Sequence, residues 1–181
     1  MTSAPERITV MGVGNPLCRD EGIGPRVTEE LLSRFEFPDH VRVIDAGTMG
    51  MGILNLFREC DFLLVVDAVD GTGEPPGTVV RVAAEDVAGN QVMHSLHDVR
   101  LIDVLQAAEL IGARPQATFV GVQARDIGGP EIGLSPEVAA AVPAAVDAVL
   151  AVLAERGIVP VECAGDADGA AVLRAVRRGD D

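Results

Sequence analysis

Glu21, Asp67 and His97 are the residues whose types and settings could do chemistry together. Glu21 lies in "GVGNPLCRDEG" (residues 12–22), a loop that follows the apolar run "ITVMGV" and leads into a helical segment. Asp67 ends the apolar run "FLLVVD", and His97 opens the helical segment after the fourth strand-like run. Carboxyl ends of parallel strands share one edge of a sheet, and ligands usually bind there. If the first and third runs are parallel, Glu21 and Asp67 converge at that edge, within reach of His97. Two carboxylates and an imidazole form an O,O,N set suited to a borderline divalent ion with positions left open for substrate.

Each residue also has a plainer reading. An acid in a first helical turn can simply answer the helix dipole. That reading is preferred for Asp20 and stays open for Glu21. Asp67 could bond only to loop amides. A lone histidine ahead of a helix is more often structural, and His40 and His94 are left to that role because neither sits at a convergent strand end. Cys18 is the one nucleophile candidate, but an acidic loop is the wrong setting for a reactive thiolate. No GxSxG elbow or HExxH helix occurs. A dinucleotide site is rejected as well. Leu17 stands where the third glycine of GxGxxG belongs, and Asp20 and Glu21 would repel a pyrophosphate.

The elements that must position these residues alternate along the chain. Strand-like runs cover Ile8–Val13, Val41–Asp45, Phe62–Asp67, Thr78–Ala83 and Ala117–Val122. Helical segments are read at Gly24–Phe35, Met51–Arg58, Leu96–Leu110 and Pro136–Arg156. In the last, Ser135 suits the N-cap and Gly157 the stop, while Pro143 is expected to kink the helix or delay its start. This alternation predicts a three-layer α/β/α domain with a central, mostly parallel, five-stranded twisted sheet, phosphorylase/hydrolase-like. The domain is placed at residues 1–162. Residues 163–181 form a low-complexity tail, either disordered or a short helix.

Composition bounds the function. The 181 residues carry 28 acidic and 14 basic side chains, a formal net charge of −14, which argues against binding nucleic acid. No stretch approaches the roughly 20 apolar residues of a membrane span. The N-terminus "MTSAPERITV" lacks the build of a signal peptide, which makes the cytoplasm the expected compartment. Three widely spaced cysteines suit a reducing compartment.

Taken together, "GVGNPLCRDEGIGPRV", "DAGTMG", "VVDAVD", "HDVRLIDVL" and "GVQARDIGGPEIGLSPEV" resemble, in order, the motifs of the NiFe-hydrogenase maturation proteases. The resemblance runs from about Ile8 to Gly157. It implies an endopeptidase that removes a C-terminal extension from a hydrogenase large-subunit precursor after nickel insertion, acting as a monomer. It also implies that Glu21, Asp67 and His97 bind metal and carry the reaction. The nickel would arrive with the substrate as a recognition handle rather than reside in the protease. Asp45, in the family's D-[GA]-G-T segment, is read as a supporting residue. The family has been regarded both as metal-dependent and as aspartic-type. Two alternatives remain: a peptidase like the spore-germination proteases, whose fold is similar, or a metal-binding accessory module that does not cleave. Because Cys18 is read as inert, Cys18→Ser is expected to process precursor at close to the parental rate. Loss of activity in that variant, together with inhibition by thiol alkylation, would instead indicate a Cys/His mechanism.

Overall fold

The computed structural model describes residues 4–83 and 101–163. Its elements are β1 (Ile8–Val13), α1 (Ile23–Arg34), β2 (Phe35–Glu36), β3 (Val41–Gly47), β4 (Phe62–Val69), β5 (Val79–Ala83), α2 (Leu101–Leu110), β6 (Gln116–Gln123), α3 (Pro136–Glu155) and β7 (Val161–Glu162). The five apolar runs become one sheet in the order β3-β1-β4-β6-β5. Strands β3, β1, β4 and β6 are parallel, and β5 closes one edge antiparallel to β6. The predicted mostly parallel α/β sheet is therefore the observed one.

Strand β4 is buried along its whole length because it lies in the middle of the sheet with both faces covered. Its alternating side chains feed two layers. Phe62, Leu64 and Val66 pack with Ile23, Val27 and Leu31 of α1 and with Val138, Val146 and Val149 of α3. Leu63 and Val65 face the other way, onto Ile53, Phe57, Val104 and Leu105. Each such side chain contributes about 1.5–3 kcal/mol on burial.

Several elements differ from expectation for local reasons. Residues 50–59 form a 3-10 helix, anchored by buried Ile53 and Phe57. Phe35 leaves α1 and pairs, as β2, with β7. Both residues of β7 are exposed, so no apolar alternation announces this small ribbon. Helix α2 is described only from Leu101 onward.

Pro143 does not delay the start of α3, whose helical residues run without interruption from Pro136 to Glu155. Pro143 lies on the exposed side, as does Ala139, whose carbonyl loses the amide partner. Solvent can satisfy that carbonyl, which removes most of the penalty. With 20 residues and a mean hydropathy of 1.9, α3 is long and apolar enough to cross a membrane by length and composition, contrary to the sequence reading. Its apolar side is committed instead to the core against α1, β5 and β6.

The start of α1 is seated on bare backbone. A Cβ added at Gly24 would stand 2.2 Å from the Val13 carbonyl oxygen and 2.5 Å from that of Val66. These are strand atoms that cannot step aside. Gly24→Ala is therefore expected to destabilise the chain by about 3 kcal/mol or more, at the upper end of overpacking costs. Gly52→Ala, whose Cβ would meet only ordinary contacts with Met49, should stay within about 0.5 kcal/mol. Chemical denaturation midpoints of the two variants check this.

Candidate functional site

Strands β1 and β4 run parallel in register, with Gly12 opposite Val66, so their carboxyl ends open onto the same edge. Beyond β1 the chain turns at Gly14 (φ 134°), where a Cβ would lie 1.8 Å from the Glu21 carbonyl oxygen; only glycine fits that position. A short 3-10 turn, Arg19–Gly22, follows and carries Asp20 and Glu21 over the edge. Glu21 is 5% exposed and Asp67 7% exposed.

Asp67 accepts a hydrogen bond from the Ala68 amide to Oδ1 at 2.8 Å. Burial pushes its carboxyl far above the ordinary range, to about 8; the Ala68 bond pulls it back, and the negative charge of Glu21 raises it. That Glu21 perturbs Asp67 marks the two carboxyls as electrostatic neighbours. A crowded, dehydrated pair of this kind suits a divalent cation, which would relieve both the repulsion and the desolvation. Among the described residues no group of three His, Cys, Asp or Glu side chains is arranged to hold a metal. His97, the third expected member, lies outside the described residues, as does His94. His40 sits at the opposite edge, just ahead of β3, where its carbonyl accepts from the Ile8 amide.

Asp20 proves to have a different task from the one its position suggested. Helix α1 begins only at Ile23 and has no acidic residue in its first turn, so Asp20 is not a response to that dipole. It is fully buried and accepts four hydrogen bonds. Oδ1 receives the Ser135 amide at 2.7 Å. Oδ2 receives the amides of Arg125 at 2.9 Å and Asp126 at 3.0 Å and the Ser135 hydroxyl at 3.0 Å. Ser135 does occupy the N-cap position of α3, but its side chain makes no capping bond because its hydroxyl is turned to Asp20. Nothing local in the sequence could have signalled this, since the partners lie more than a hundred positions away.

The same loop is tied at other points. The Arg19 amide donates to the Glu131 carbonyl at 2.7 Å. Its guanidinium pairs with Glu131 and, at 3.6 Å, with Asp126. Arg19 has a φ of 45°, the one positive value at a non-glycine among the described residues. Cys18, half-buried, accepts from Asn15 Nδ2 at 3.3 Å. Asp45 accepts from the Gly47 amide at 2.8 Å, and Gly47 in turn receives the Gly14 amide at 3.1 Å, so the third-strand loop buttresses the first. The close helix–strand packing denied to Leu17 is supplied further along by Gly24, and Leu17 itself is exposed. The rejection of a dinucleotide site therefore rests on the two acids in the turn ahead of α1, which would repel a pyrophosphate, and not on obstructed packing.

Comparison with known proteins agrees with this architecture. A family model described as hydrogenase maturation protease matches residues 25–152. The hydrogenase 2 maturation protease of Escherichia coli K12 is 40% identical over 156 residues, covering 84% of this chain and 93% of its own. A hydrogenase expression/formation protein, HupM, of Azotobacter chroococcum is 40% identical over 175 residues, covering 93% of this chain and 81% of its own. Among solved structures, the hydrogenase maturating endopeptidase HybD from E. coli superposes with a TM-score of 0.79 at 39% identity, covering 86% of this chain and 97% of that one.

The raised Asp67 carboxyl has a thermodynamic consequence. Because its folded value, about 8, lies above the unfolded 3.8, the protonated form favours the folded state. Its contribution is complete below pH 4 and is lost as pH climbs toward 8, at up to roughly 1.4 kcal/mol per pH unit. Asp67→Asn keeps an acceptor for the Ala68 amide and never ionises. In chelator-treated protein it is expected to melt several degrees above the parent at pH 8, with the gap closing toward pH 4. Thermal melts across that range test it.

Proposed function

Because the chain belongs to the hydrogenase maturation protease family, we propose that it is the endopeptidase that removes the C-terminal extension of a NiFe-hydrogenase large-subunit precursor after nickel insertion. The inserted nickel is the handle it reads, brought by the substrate. The observation that carries this reading is the burial of two neighbouring carboxyls, Glu21 and Asp67, at the carboxyl edge of the sheet. In this reading they receive the precursor's nickel together with His97.

The two carboxyls also suit acid–base work on a peptide. Asp67 keeps its proton to about pH 8 in the metal-free chain. A protonated carboxyl beside a second carboxyl forms an acid–base pair: one takes a proton from an attacking water while the other gives one to the departing amine. The alternative is metal-assisted: with both carboxyls ionised as ligands of the substrate's nickel, that ion would supply Lewis-acid polarisation of the scissile carbonyl in place of the proton exchange. Buried surroundings strengthen each of these interactions relative to water. The chain is taken to act as a monomer in the cytoplasm, on a protein partner and not on nucleic acid, in keeping with its net charge of −14.

The test is to mix the purified chain with nickel-loaded and nickel-free precursor and to follow the large subunit's mass. Shortening of the nickel-loaded form alone is expected. Asp67→Asn should remain folded and leave both forms intact. His97→Gln should show at most a slow residual reaction. Equal cleavage of both precursors removes nickel as the handle, and a stable complex without a shortened product makes the chain a binding module.

A further inference from the structure

The segment "ARDIGGPEIGLS", residues 124–135, joins β6 to α3 and lies against the 3-10 turn that carries Glu21. Backbone hydrogen bonds and ion pairs join the two. The Arg19 amide meets the Glu131 carbonyl at 2.7 Å, the Asp20 amide meets the Asp126 carbonyl at 3.3 Å, and the Arg19 side chain pairs with Asp126 and Glu131. At the centre is the Asp20 carboxylate, with a relative exposure of 0%. Its four donors come from both ends of the segment, Arg125 and Asp126 at one end and Ser135 at the other.

We propose that Asp20 is a positioning residue for the reaction: by gathering both ends of segment 124–135 onto its two oxygens it fixes the turn that holds its neighbour Glu21 against β4, the strand that carries Asp67. The inference rests on the protease reading given above. The chemistry of the knot is specific to a carboxylate. Every partner donates, and Asp20 accepts on both oxygens. An amide in its place has one acceptor oxygen and one donor nitrogen, so in either orientation an NH2 group meets an N–H. The knot must then open at Ser135 or at the Arg125–Asp126 pair. Because Glu21 is the next residue, it moves with whichever side gives way. Misplacement by about 1 Å is enough to cost on the order of a hundredfold in rate when reacting groups must be aligned.

A purely structural Asp20 would lower stability and leave the folded enzyme's turnover intact, so kcat and KM are read separately on nickel-loaded precursor, well below the melting temperature. Asp20→Asn is expected to lose about tenfold to a hundredfold in kcat, with KM within about twofold of the parent. Amide exchange should quicken at Arg125, Asp126 and Ser135 while the amides of β4 stay protected. Ser135→Ala removes one of the four donors and should lower kcat about threefold at unchanged KM. A folded Asp20→Asn with parental kcat, or with a loss confined to KM, overturns the inference and leaves the protease reading in place. If Asp20→Asn does not fold, a parental kcat in Ser135→Ala overturns it equally. A parent chain that leaves nickel-loaded precursor uncut overturns the protease reading, and this inference falls with it.

Discussion

Gly24 and Gly12 bring two backbones together with no side chain between them, and most of the site depends on that contact. A Cβ on Gly12 would stand 2.4 Å from the Gly24 carbonyl oxygen, and one on Gly24 would strike both β1 and β4. Seated this deeply, α1 begins at the carboxyl edge of the sheet, and the turn before it has to lie across that edge. Glu21 is carried toward the end of β4 as a result. The glycines of the first loop thus act by permitting close approach of helix to sheet, with Gly14 supplying the sharp exit from β1. The phosphate-binding loops they resemble use the same freedom for a different purpose, bringing helix amides to an anion.

What the loop then holds is electrostatically unfavourable on its own terms. Two acidic side chains, each less than 10% exposed, lie at one edge of the sheet in a protein that already carries a net charge of −14. Nothing about folding requires this arrangement, because apolar residues at either position would pack without the desolvation cost. Other features nearby run against local preference too: a left-handed Arg19 and a serine that caps no helix. Departures from local rules gather where a site demands them. Here they gather around the one turn that spans the sheet edge.

The fold was largely legible in the sequence because burial leaves a periodic trace. All five strands of the sheet, the parallel pairing of the first and third runs, and the span of α1 and α3 to within a residue or two follow from apolar runs and their punctuation. Elements that bury little left no such trace: β7 is wholly exposed, and the 3-10 character of residues 50–59 depends on where Ile53 and Phe57 find the core. The site was legible in part. Glu21 lies in the turn beyond β1 and Asp67 near the carboxyl end of β4, two residues before the strand finishes at Val69, whereas Asp20 was misread because its meaning lies in Arg125, Asp126 and Ser135. Local rules assign an acid near a helix start to the dipole, and only the tertiary structure shows which amides it meets. The delayed start expected of Pro143 does not occur for a related reason: the sequence names the missing amide, but whether the orphaned carbonyl faces water is decided by packing.

The apolar length of α3 also bears on how the chain is made. A ribosome delivers the polypeptide from its N-terminus, and β1 through β6 all precede Pro136. By the time this 20-residue segment emerges, the strands and α1 that will cover it have already been synthesised. Domains generally fold as units during synthesis, and exposed apolar surface invites aggregation while it waits for partners. A helix of this hydropathy placed first would linger unprotected, open to chaperones and to the machinery that inserts nascent chains into membranes. Placed after the sheet, it emerges when every strand and helix that covers it has already been made, so the order of elements along the chain favours prompt burial of the most apolar helix among the described residues.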